Sequence, residues 1–325
     1  MQDQFGRTID YLRISVTDRC NLRCRYCMPE PIDALGHGEI LRHEEILRIC
    51  RAASELGIRK FKVTGGEPLV RADCVSFISA LKRQSGTEQV TLTTNGLLLG
   101  KNLDALAAAG LDGINISLDS LNAERYTRIS GHPEGAELLK RIMQAVEDAC
   151  AMGLRTKLNA VLLEETEEDA PELAAIAEEL PVDVRFIELM PIGFGAAMRR
   201  VSPDDILSAL RERWPDLAPT DERRGNGPAH YYKSDLLLGR IGFIDAVSHK
   251  FCAECNRVRL TSTGQLKPCL CYADSADLRA LIRGGCTDEE LTEALRAAIY
   301  NKPRAHCFDT STSITEKHAM SQIGG

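Results

Sequence analysis

The chain has 325 residues and a formal net charge of −7, and 44% of its residues are hydrophobic and 27% charged. This length fits one large domain or two smaller ones, and the composition is typical of a soluble globular protein. The acidic balance argues against a nucleic-acid-binding protein, although it leaves room for a local basic pocket.

Predicted strands and helices alternate over the first two thirds of the chain. The helices include one from His43 to Gly57, one capped by Asp73 that runs to Leu81, and one from Gly135 to Gly153. The predicted strands begin at Tyr11, Lys60, Gln89, Gly113, Arg155 and Val182. About six β–α units with strands rich in Val, Ile and Leu predict a parallel α/β sheet, either doubly wound or a partial TIM-like barrel.

Polar residues follow four of these strands, and they predict the position of a functional site. Reactive groups in both architectures lie at the carboxyl ends of the strands. The polar segments are Thr64–Glu67, Thr93–Asn95, Ser117–Asp119 and Glu188–Met190.

The alternation ends near residue 215, where "PDLAPTDERRGNGPAH" predicts a loop or linker. We therefore expect a domain over residues 1–220 and a second one over 221–325, with short strands after His230 and a helix from Asp288.

The chain holds twelve cysteines, and two groups of three have regular spacing. The polar start "MQDQFGRTIDYLR" predicts no signal peptide, and no run of eighteen apolar residues predicts a membrane helix. We expect a cytoplasmic protein, in which clustered cysteines bind metal more often than they form disulfides.

The first group, Cys20, Cys24 and Cys27, has the spacing C-x3-C-x2-C without a fourth Cys or His nearby. Three thiolates can hold three irons of a four-iron cluster and leave the fourth iron open to a small molecule. The alternative is a zinc site that takes a distant fourth ligand.

The stretch "CNLRCRYC", with Tyr26 before its last cysteine, resembles the signature of the radical S-adenosylmethionine superfamily. "GGEP" at Gly65–Pro68 resembles that superfamily's motif around the methionine amino group. The resemblance implies a partial (β/α)6 TIM-like barrel with a C-terminal cluster-binding extension. It also implies that Cys20, Cys24 and Cys27 hold a [4Fe-4S] cluster, and that four positions line the bound S-adenosylmethionine: Tyr26, Gly66, Ser117 and Met190.

The second group, Cys252, Cys255 and Cys269, has the spacing C-x2-C-x13-C. Cys271 is either a fourth ligand or a neighbouring thiol. Arg257 and Arg259 share one face if their segment is extended. Paired guanidinium groups beside an open iron suggest an anionic ligand, whereas the plainer alternative is a surface pair in a hairpin.

The order of motifs from "YLRISVTDRCNLRCRYC" through "FCAECNRVRL" to "SQIGG" resembles the branch of the superfamily that cyclises GTP at the first step of molybdenum cofactor biosynthesis. The resemblance implies that Cys252, Cys255 and Cys269 hold a second [4Fe-4S] cluster. It assigns catalytic roles to both arginines and to the first cysteine group. Implied GTP contacts are Arg13, Lys62, Thr93, Lys157, Arg185, Arg257, Val258 and Arg259.

The implied reaction begins with a 5′-deoxyadenosyl radical that removes the ribose 3′ hydrogen, after which the ribose carbon attacks guanine C8. Implied partners are GTP, an unidentified electron donor, the next enzyme of the pathway and a second copy in a homodimer.

Lys62 stands where the family has Arg, which predicts weaker binding of the triphosphate. The tail Gly324–Gly325 either reaches into the site or frays.

Two other functions stay open at this point. One is a radical enzyme that modifies peptides with an auxiliary cluster, and the other is a zinc-stabilised binding module. We expect the remaining thiols to be small buried hydrophobic residues: Cys50, Cys74, Cys150, Cys286 and Cys307.

Overall fold

The computed structural model describes residues 1–30, 35–36, 38–273, 276–309 and 313–324. The strands are β1 (Tyr11–Ser15), β2 (Lys60–Thr64), β3 (Gln89–Thr94), β4 (Gly113–Ser117), β5 (Thr156–Leu162), β6 (Asp183–Glu188), β7 (Ala218–Thr220), β8 (His230–Lys233), β9 (Ile241–Ile244), β10 (Arg257–Leu260), β11 (Gln265–Lys267) and β12 (Ala276–Asp277). The helices are α1 (His43–Glu55), α2 (Cys74–Arg83), α3 (Leu99–Ala108), α4 (Ala123–Ser130), α5 (Gly135–Ala151), α6 (Glu164–Glu179), α7 (Pro203–Arg213), α8 (Leu278–Arg283) and α9 (Asp288–Tyr300).

The described strands form one 12-stranded sheet in the order β12-β11-β10-β1-β2-β3-β4-β5-β6-β9-β8-β7. Strands β1 to β6 are parallel neighbours in chain order. Strand β10 adds in parallel beside β1, and β9 adds in parallel beside β6. Antiparallel pairs end the sheet on both sides. This arrangement confirms the partial (β/α)6 barrel with a C-terminal extension.

The core follows from the apolar pattern of strands and helices. Strand β4 is buried at four consecutive residues, as expected when helices cover the sheet from outside. Helix α5 packs beside β5 and buries one apolar stripe, which is Leu138, Leu139, Ile142, Ala145, Val146 and Ala149. No helix in the described part of the chain combines the length and apolarity that crossing a bilayer requires.

Several local expectations need correction. Helices α4, α7 and α8 were not predicted, and α3 begins at Leu99, whereas the segment "LDALAAAG" predicts a helix from Leu103. Asp73 precedes α2 but makes no side-chain cap, since its backbone is left-handed with φ 59°. The predicted loop after residue 215 contains β7. The domain boundary at 220/221 stays a prediction, and the sheet is continuous across it, because β9 pairs with β6 and β10 with β1.

Candidate active site

A single cavity inside the barrel collects nearly all of the predicted site residues. Both cysteine groups line it, as do the four predicted cofactor positions Tyr26, Gly66, Ser117 and Met190. The predicted substrate residues that line it are Arg13, Lys62, Thr93, Lys157, Arg185, Arg257 and Arg259. Val258 differs, because its side chain is only 1% exposed in the hydrophobic core, while its neighbours on β10 face the cavity.

The first cysteine group lies on the loop after β1, at the carboxyl edge of the barrel. The backbone N–H of Leu22 donates to Cys20 Sγ at 3.4 Å. Tyr26 donates its hydroxyl to Asp119 Oδ2 at 3.0 Å, and Asp119 Oδ1 accepts from the Val161 N–H at 2.8 Å. Burial raises the pKa of Asp119 to about 6, although these hydrogen bonds oppose the shift. Asp119 therefore ties the cysteine loop to β5.

The segment "GGEP" packs against the same loop. A Cβ on Gly66 would lie 2.4 Å from the carbonyl oxygen of Arg19, so only glycine allows this approach. Glu67 is fully buried and accepts hydrogen bonds from Thr94 Oγ1 at 2.8 Å and from the Asn95 N–H at 2.7 Å. Glu67 thereby joins "GGEP" to "TTNG", and it acts as a positioning residue for the cysteine loop.

The second cysteine group lies across the cavity, and a buried arginine holds it in place. Arg7 donates to the carbonyl oxygens of Cys252 at 2.9 Å and Pro303 at 2.7 Å, and it pairs with Asp3 at 2.6 Å. Burial opposes ionisation of Cys255, but nearby Arg257 and Lys302 outweigh it and lower its pKa to about 7. A thiolate at this position is suited to bind iron.

Between the two cysteine groups, cations stand side by side on adjacent strands. Arg13 of β1 is in register with Lys62 of β2 and with Arg259 of β10. Burial, then the neighbouring Arg185 and Arg13, keep the pKa of Lys62 well below its usual value. The pKa of Arg259 is lowered by burial and by Arg13. Buried like charges destabilise one another, so this row favours a polyanionic ligand.

Two further predicted basic residues, Lys157 and Arg185, also have protein partners. Lys157 donates to Asp183 at 2.8 Å and to the Tyr231 hydroxyl at 3.0 Å, and Arg185 donates to Asn159 Oδ1 at 2.6 Å. Lys157 also contacts the carbonyl oxygen of Arg224, on the loop before β8. Lys157 therefore fixes this loop against β5.

The C-terminal segment, which is the part of the chain after α9, enters the cavity. Gly324 accepts hydrogen bonds at its carbonyl oxygen from Arg259 Nη1 at 2.7 Å and from Arg13 Nη2 at 3.4 Å. Burial raises the pKa of Cys27 to about 12, although contacts from Ser321 oppose the shift. The tail thus contacts both the first cysteine group and the cation row. Gly325 lies outside the described residues.

Sequence reasoning missed several residues that organise this site. Glu67 and Asp119 lie in the polar segments at strand ends, so the sequence predicted where they lie. It did not predict that their hydrogen bonds position the first cysteine group. Asp3, Arg7 and Lys302 carry no local motif, because their partners lie far away in sequence.

The donor sets fit iron–sulfur clusters. Each group offers three thiols on one wall of the cavity, and all six cysteines are partly exposed to it. Among the described residues, no three Cys, His, Asp or Glu side chains are arranged around a single metal ion. Thiolates are the usual ligands of [4Fe-4S] clusters, and three leave one iron open.

The fold and the first cysteine group define a radical S-adenosylmethionine protein. The family model of the Radical SAM superfamily matches residues 14–177, and the model Molybdenum Cofactor Synthesis C matches residues 182–308. Within the superfamily, the chain belongs to the GTP 3′,8-cyclase family.

The relatives that show this family match along the full chain. GTP 3′,8-cyclase of Clostridium perfringens (strain 13 / Type A) is 40% identical over 327 residues, and 100% of each chain is covered. The enzyme of Pelotomaculum thermopropionicum is 42% identical over 334 residues, again with 100% of each covered. These matches favour the cyclase over the peptide-modifying enzyme and the zinc module.

A solved structure confirms the fold. Streptococcus suis SuiB bound to S-adenosylmethionine superposes with a TM-score of 0.64, covering 97% of this chain and 78% of SuiB at 14% identity. At this identity the likeness concerns the architecture alone.

Proposed function

We propose that this protein converts GTP to 3′,8-cyclo-7,8-dihydro-GTP, the first step of molybdenum cofactor biosynthesis. The observation that carries the proposal is the row Arg259, Arg13 and Lys62, placed in register between two three-cysteine groups. A triphosphate supplies the concentrated negative charge that three adjacent cations favour, whereas a peptide substrate does not generally carry such a charge.

The cations bind the triphosphate in this proposal. Arg259 and Arg13 present guanidinium forks, which match phosphate oxygens in two-point contacts. Lys62 adds a single charge between them and β3. A hydrogen bond to a charged group contributes roughly 1.5–3 kcal/mol, so a few such contacts hold a nucleotide in a chain of net charge −7.

The thiols hold the cofactors at the two ends of the substrate. Cys20, Cys24 and Cys27 would bind the [4Fe-4S] cluster that, together with S-adenosylmethionine, supplies a hydrogen-abstracting radical. Cys252, Cys255 and Cys269 would bind the second cluster on the opposite wall, beside Arg257. The guanidinium of Arg257 stacks on Phe251 at 5.0 Å from the ring centre, which fixes it at the cavity edge.

The protein also keeps water from the reacting ribose. Ser321 and Ile323 of the C-terminal segment are each 1% exposed, and Gly324 lies against Ser15 and Thr64 at the ends of β1 and β2. The segment therefore covers the cavity from the side of the first cysteine group. A closed site protects a radical from side reactions.

Deuterium transfer tests this function. The reconstituted enzyme is incubated anaerobically with S-adenosylmethionine, a reductant and GTP that carries deuterium at ribose C3′. The expected result is a cyclised product with the mass of a GTP isomer and 5′-deoxyadenosine that contains deuterium. Unlabelled 5′-deoxyadenosine without a cyclised product would contradict the proposal.

A matched pair of variants links the activity to the cations. Arg259→Ala should weaken GTP binding by about 10- to 100-fold, from the loss of one charged contact. Lys233→Ala removes an exposed cation at the end of β8 and should leave binding unchanged. Equal effects of both would refute a specific role of the cation row.

The finer expectations belong to the same proposal. The enzyme works in the cytoplasm, takes electrons from an external donor and passes its product to the next enzyme of the pathway. It divides into residues 1–220 and 221–325, and it forms a homodimer, which sedimentation of the reconstituted protein tests.

A further inference from the structure

Two cysteines outside the six proposed ligands contact each other. Cys271 and Cys307 are 36 positions apart in sequence, yet their Sγ atoms lie 2.8 Å from each other. The N–H of Cys307 also donates to Cys271 Sγ at 3.3 Å. Cys307 was expected to be a small buried hydrophobic residue, but it is partly exposed and contacts a second thiol.

This pair lies where the C-terminal segment joins the loop of the second cysteine group. Cys271 follows the proposed ligand Cys269 by two residues, and its carbonyl oxygen accepts from the Glu316 N–H at 3.3 Å. On the other side, the N–H of His306 donates to Cys252 Sγ at 3.4 Å. These contacts thus hold the start of the C-terminal segment close to Cys269 and Cys252, which are two of the proposed cluster ligands.

A buried ion pair and an apolar cluster hold the loop that carries Cys271 against the C-terminal segment. Lys267 donates to the carbonyl oxygen of Tyr272 at 2.7 Å and pairs with the buried Glu316. Cys271 packs in one hydrophobic cluster with Leu270, Phe308 and other residues. The thiols therefore stay close without a covalent bond.

We propose that Cys271 and Cys307 form a redox-active dithiol, which closes to a disulfide and covalently fixes the start of the C-terminal segment to the second-cluster loop. A disulfide bond is about 2.05 Å long, so the sulfur atoms need to approach by roughly 0.8 Å. In this assignment Cys271 is a partner of Cys307 and does not ligate the cluster.

The oxidant is a low-molecular-weight disulfide such as oxidised glutathione. Cys307, which is partly exposed, attacks one sulfur of glutathione disulfide as a thiolate, and one glutathione leaves as a thiol. Cys271, which is buried, then displaces the second glutathione from the mixed disulfide. The protein thiols lose two protons and two electrons, and the reagent becomes two thiols.

Peptide mapping of the holoenzyme tests the proposal directly. The reconstituted protein is equilibrated anaerobically in glutathione buffers of increasing oxidation, alkylated with iodoacetamide and digested with trypsin. The sequence places Cys269 and Cys271 in the fragment 260–279 and Cys307 in 305–317. The expected product is these two fragments joined with the loss of two hydrogens, with the link assigned to Cys271 by fragmentation.

The variants separate a specific pair from general oxidation. Cys271→Ser and Cys307→Ser should each abolish the linked fragment, whereas Cys286→Ser should retain it, because Cys286 lies elsewhere on the chain before α9. Cys271→Ser should also keep its full iron content.

Three results would overturn the assignment. Separate alkylation of both thiols at every redox ratio would show that they do not pair. A stable glutathione adduct on Cys307 would show that Cys271 does not displace it. A loss of about four irons in both Cys271→Ser and Cys271→Ala would make Cys271 a cluster ligand. None of these measurements needs GTP turnover, so they are independent of the proposed function.

Discussion

Arg259 donates a hydrogen bond of 2.7 Å to the carbonyl oxygen of Gly324, so the C-terminal segment contacts the same cation that we propose for the triphosphate. Gly324 adopts a left-handed backbone with φ 76°, and a Cβ there would lie 3.2 Å from Ser15 Cβ. The position of the tail therefore depends on a glycine. Substitution of this glycine tests whether the inserted tail matters for activity.

Gly324→Ala should lower turnover while both clusters remain intact. A left-handed conformation costs a residue with Cβ about 1–2 kcal/mol, which reduces the population of the inserted tail roughly 5- to 30-fold. Turnover and KM for GTP are measured on protein of known iron content. We expect turnover to fall by about that factor.

Gly285→Ala is the matched control for the tail variant. Gly285 also has a positive φ of 86°, but it lies before α9 with open space around its Cβ position. The cost of an alanine in a left-handed conformation is the same at this position. We therefore expect the substitution to lower the stability of the protein and to leave its turnover unchanged. If both alanine variants lose the same activity, the tail has no specific role.

Lys62→Met should stabilise the ligand-free enzyme but weaken GTP binding. Burial and the neighbouring arginines keep the pKa of Lys62 well below its usual value, so its charge is unfavourable without an anion. Loss of one charged contact predicts GTP binding that is about 10- to 100-fold weaker. Thermal unfolding and equilibrium binding of GTP measure the two effects.

The same substitution changes the pH dependence of stability. Because the folded state holds this proton less tightly than the unfolded chain, stability rises with pH between the folded pKa and the unfolded value of about 10.4. The contribution is complete above the unfolded pKa and is lost as the pH falls through the folded one. Lys62→Met should therefore show a smaller rise in its unfolding midpoint between about pH 7 and about pH 9.

Lys60→Met is the control on the same strand. Lys60 pairs with Asp10 at 2.6 Å near the surface, and such pairs contribute about 0–1 kcal/mol. Its removal should leave GTP binding unchanged. A binding loss equal to that of Lys62→Met would show that general charge, and not the cation row, holds the nucleotide.

Substitution of the second cysteine group should halve the iron content. The variant Cys252→Ala/Cys255→Ala/Cys269→Ala is compared with the wild type after anaerobic reconstitution. About eight irons should fall to about four, because each group of three thiols holds its own four-iron cluster. Cys150→Ala controls for the loss of a thiol outside the cavity. Stoichiometric zinc with little iron would refute the cluster assignment.

The sequence predicted those parts of the site that depend on local spacing. Cys20, Cys24 and Cys27 were found because their ligand spacing is short, and Arg257 and Arg259 because alternate residues of a strand share a face. The same period places Val258 in the core, where the family-based assignment had put a substrate contact.

Other contacts depend on chain segments that meet only in the folded protein. Arg7 reaches Cys252 across 245 positions, and Arg259 reaches Gly324 across 65. Periodicity over a window of 11–18 residues carries no information on such pairs. The Cys271–Cys307 contact was missed for the same reason.

Gly66→Ala should disrupt the first cluster and leave the second one in place. The added Cβ would lie 2.4 Å from the carbonyl oxygen of Arg19 and 2.7 Å from that of Asp18, and neither backbone atom can rotate away. The loop that leads to Cys20 must shift, with a cost of about 1–3 kcal/mol for overpacking. We expect loss of about four irons and of S-adenosylmethionine binding.

Gly100→Ala is the control for the replacement of a glycine by alanine. Gly100 lies in α3, and a Cβ there would meet no atom within 4 Å. An alanine in a helix is more favourable than glycine by roughly 0.5–1 kcal/mol, so this variant should be as stable as the wild type or slightly more so. Iron content and S-adenosylmethionine binding are measured for both variants. If Gly66→Ala kept all of its iron and bound S-adenosylmethionine normally, the close packing of "GGEP" against residues 18–19 would not control the first cluster.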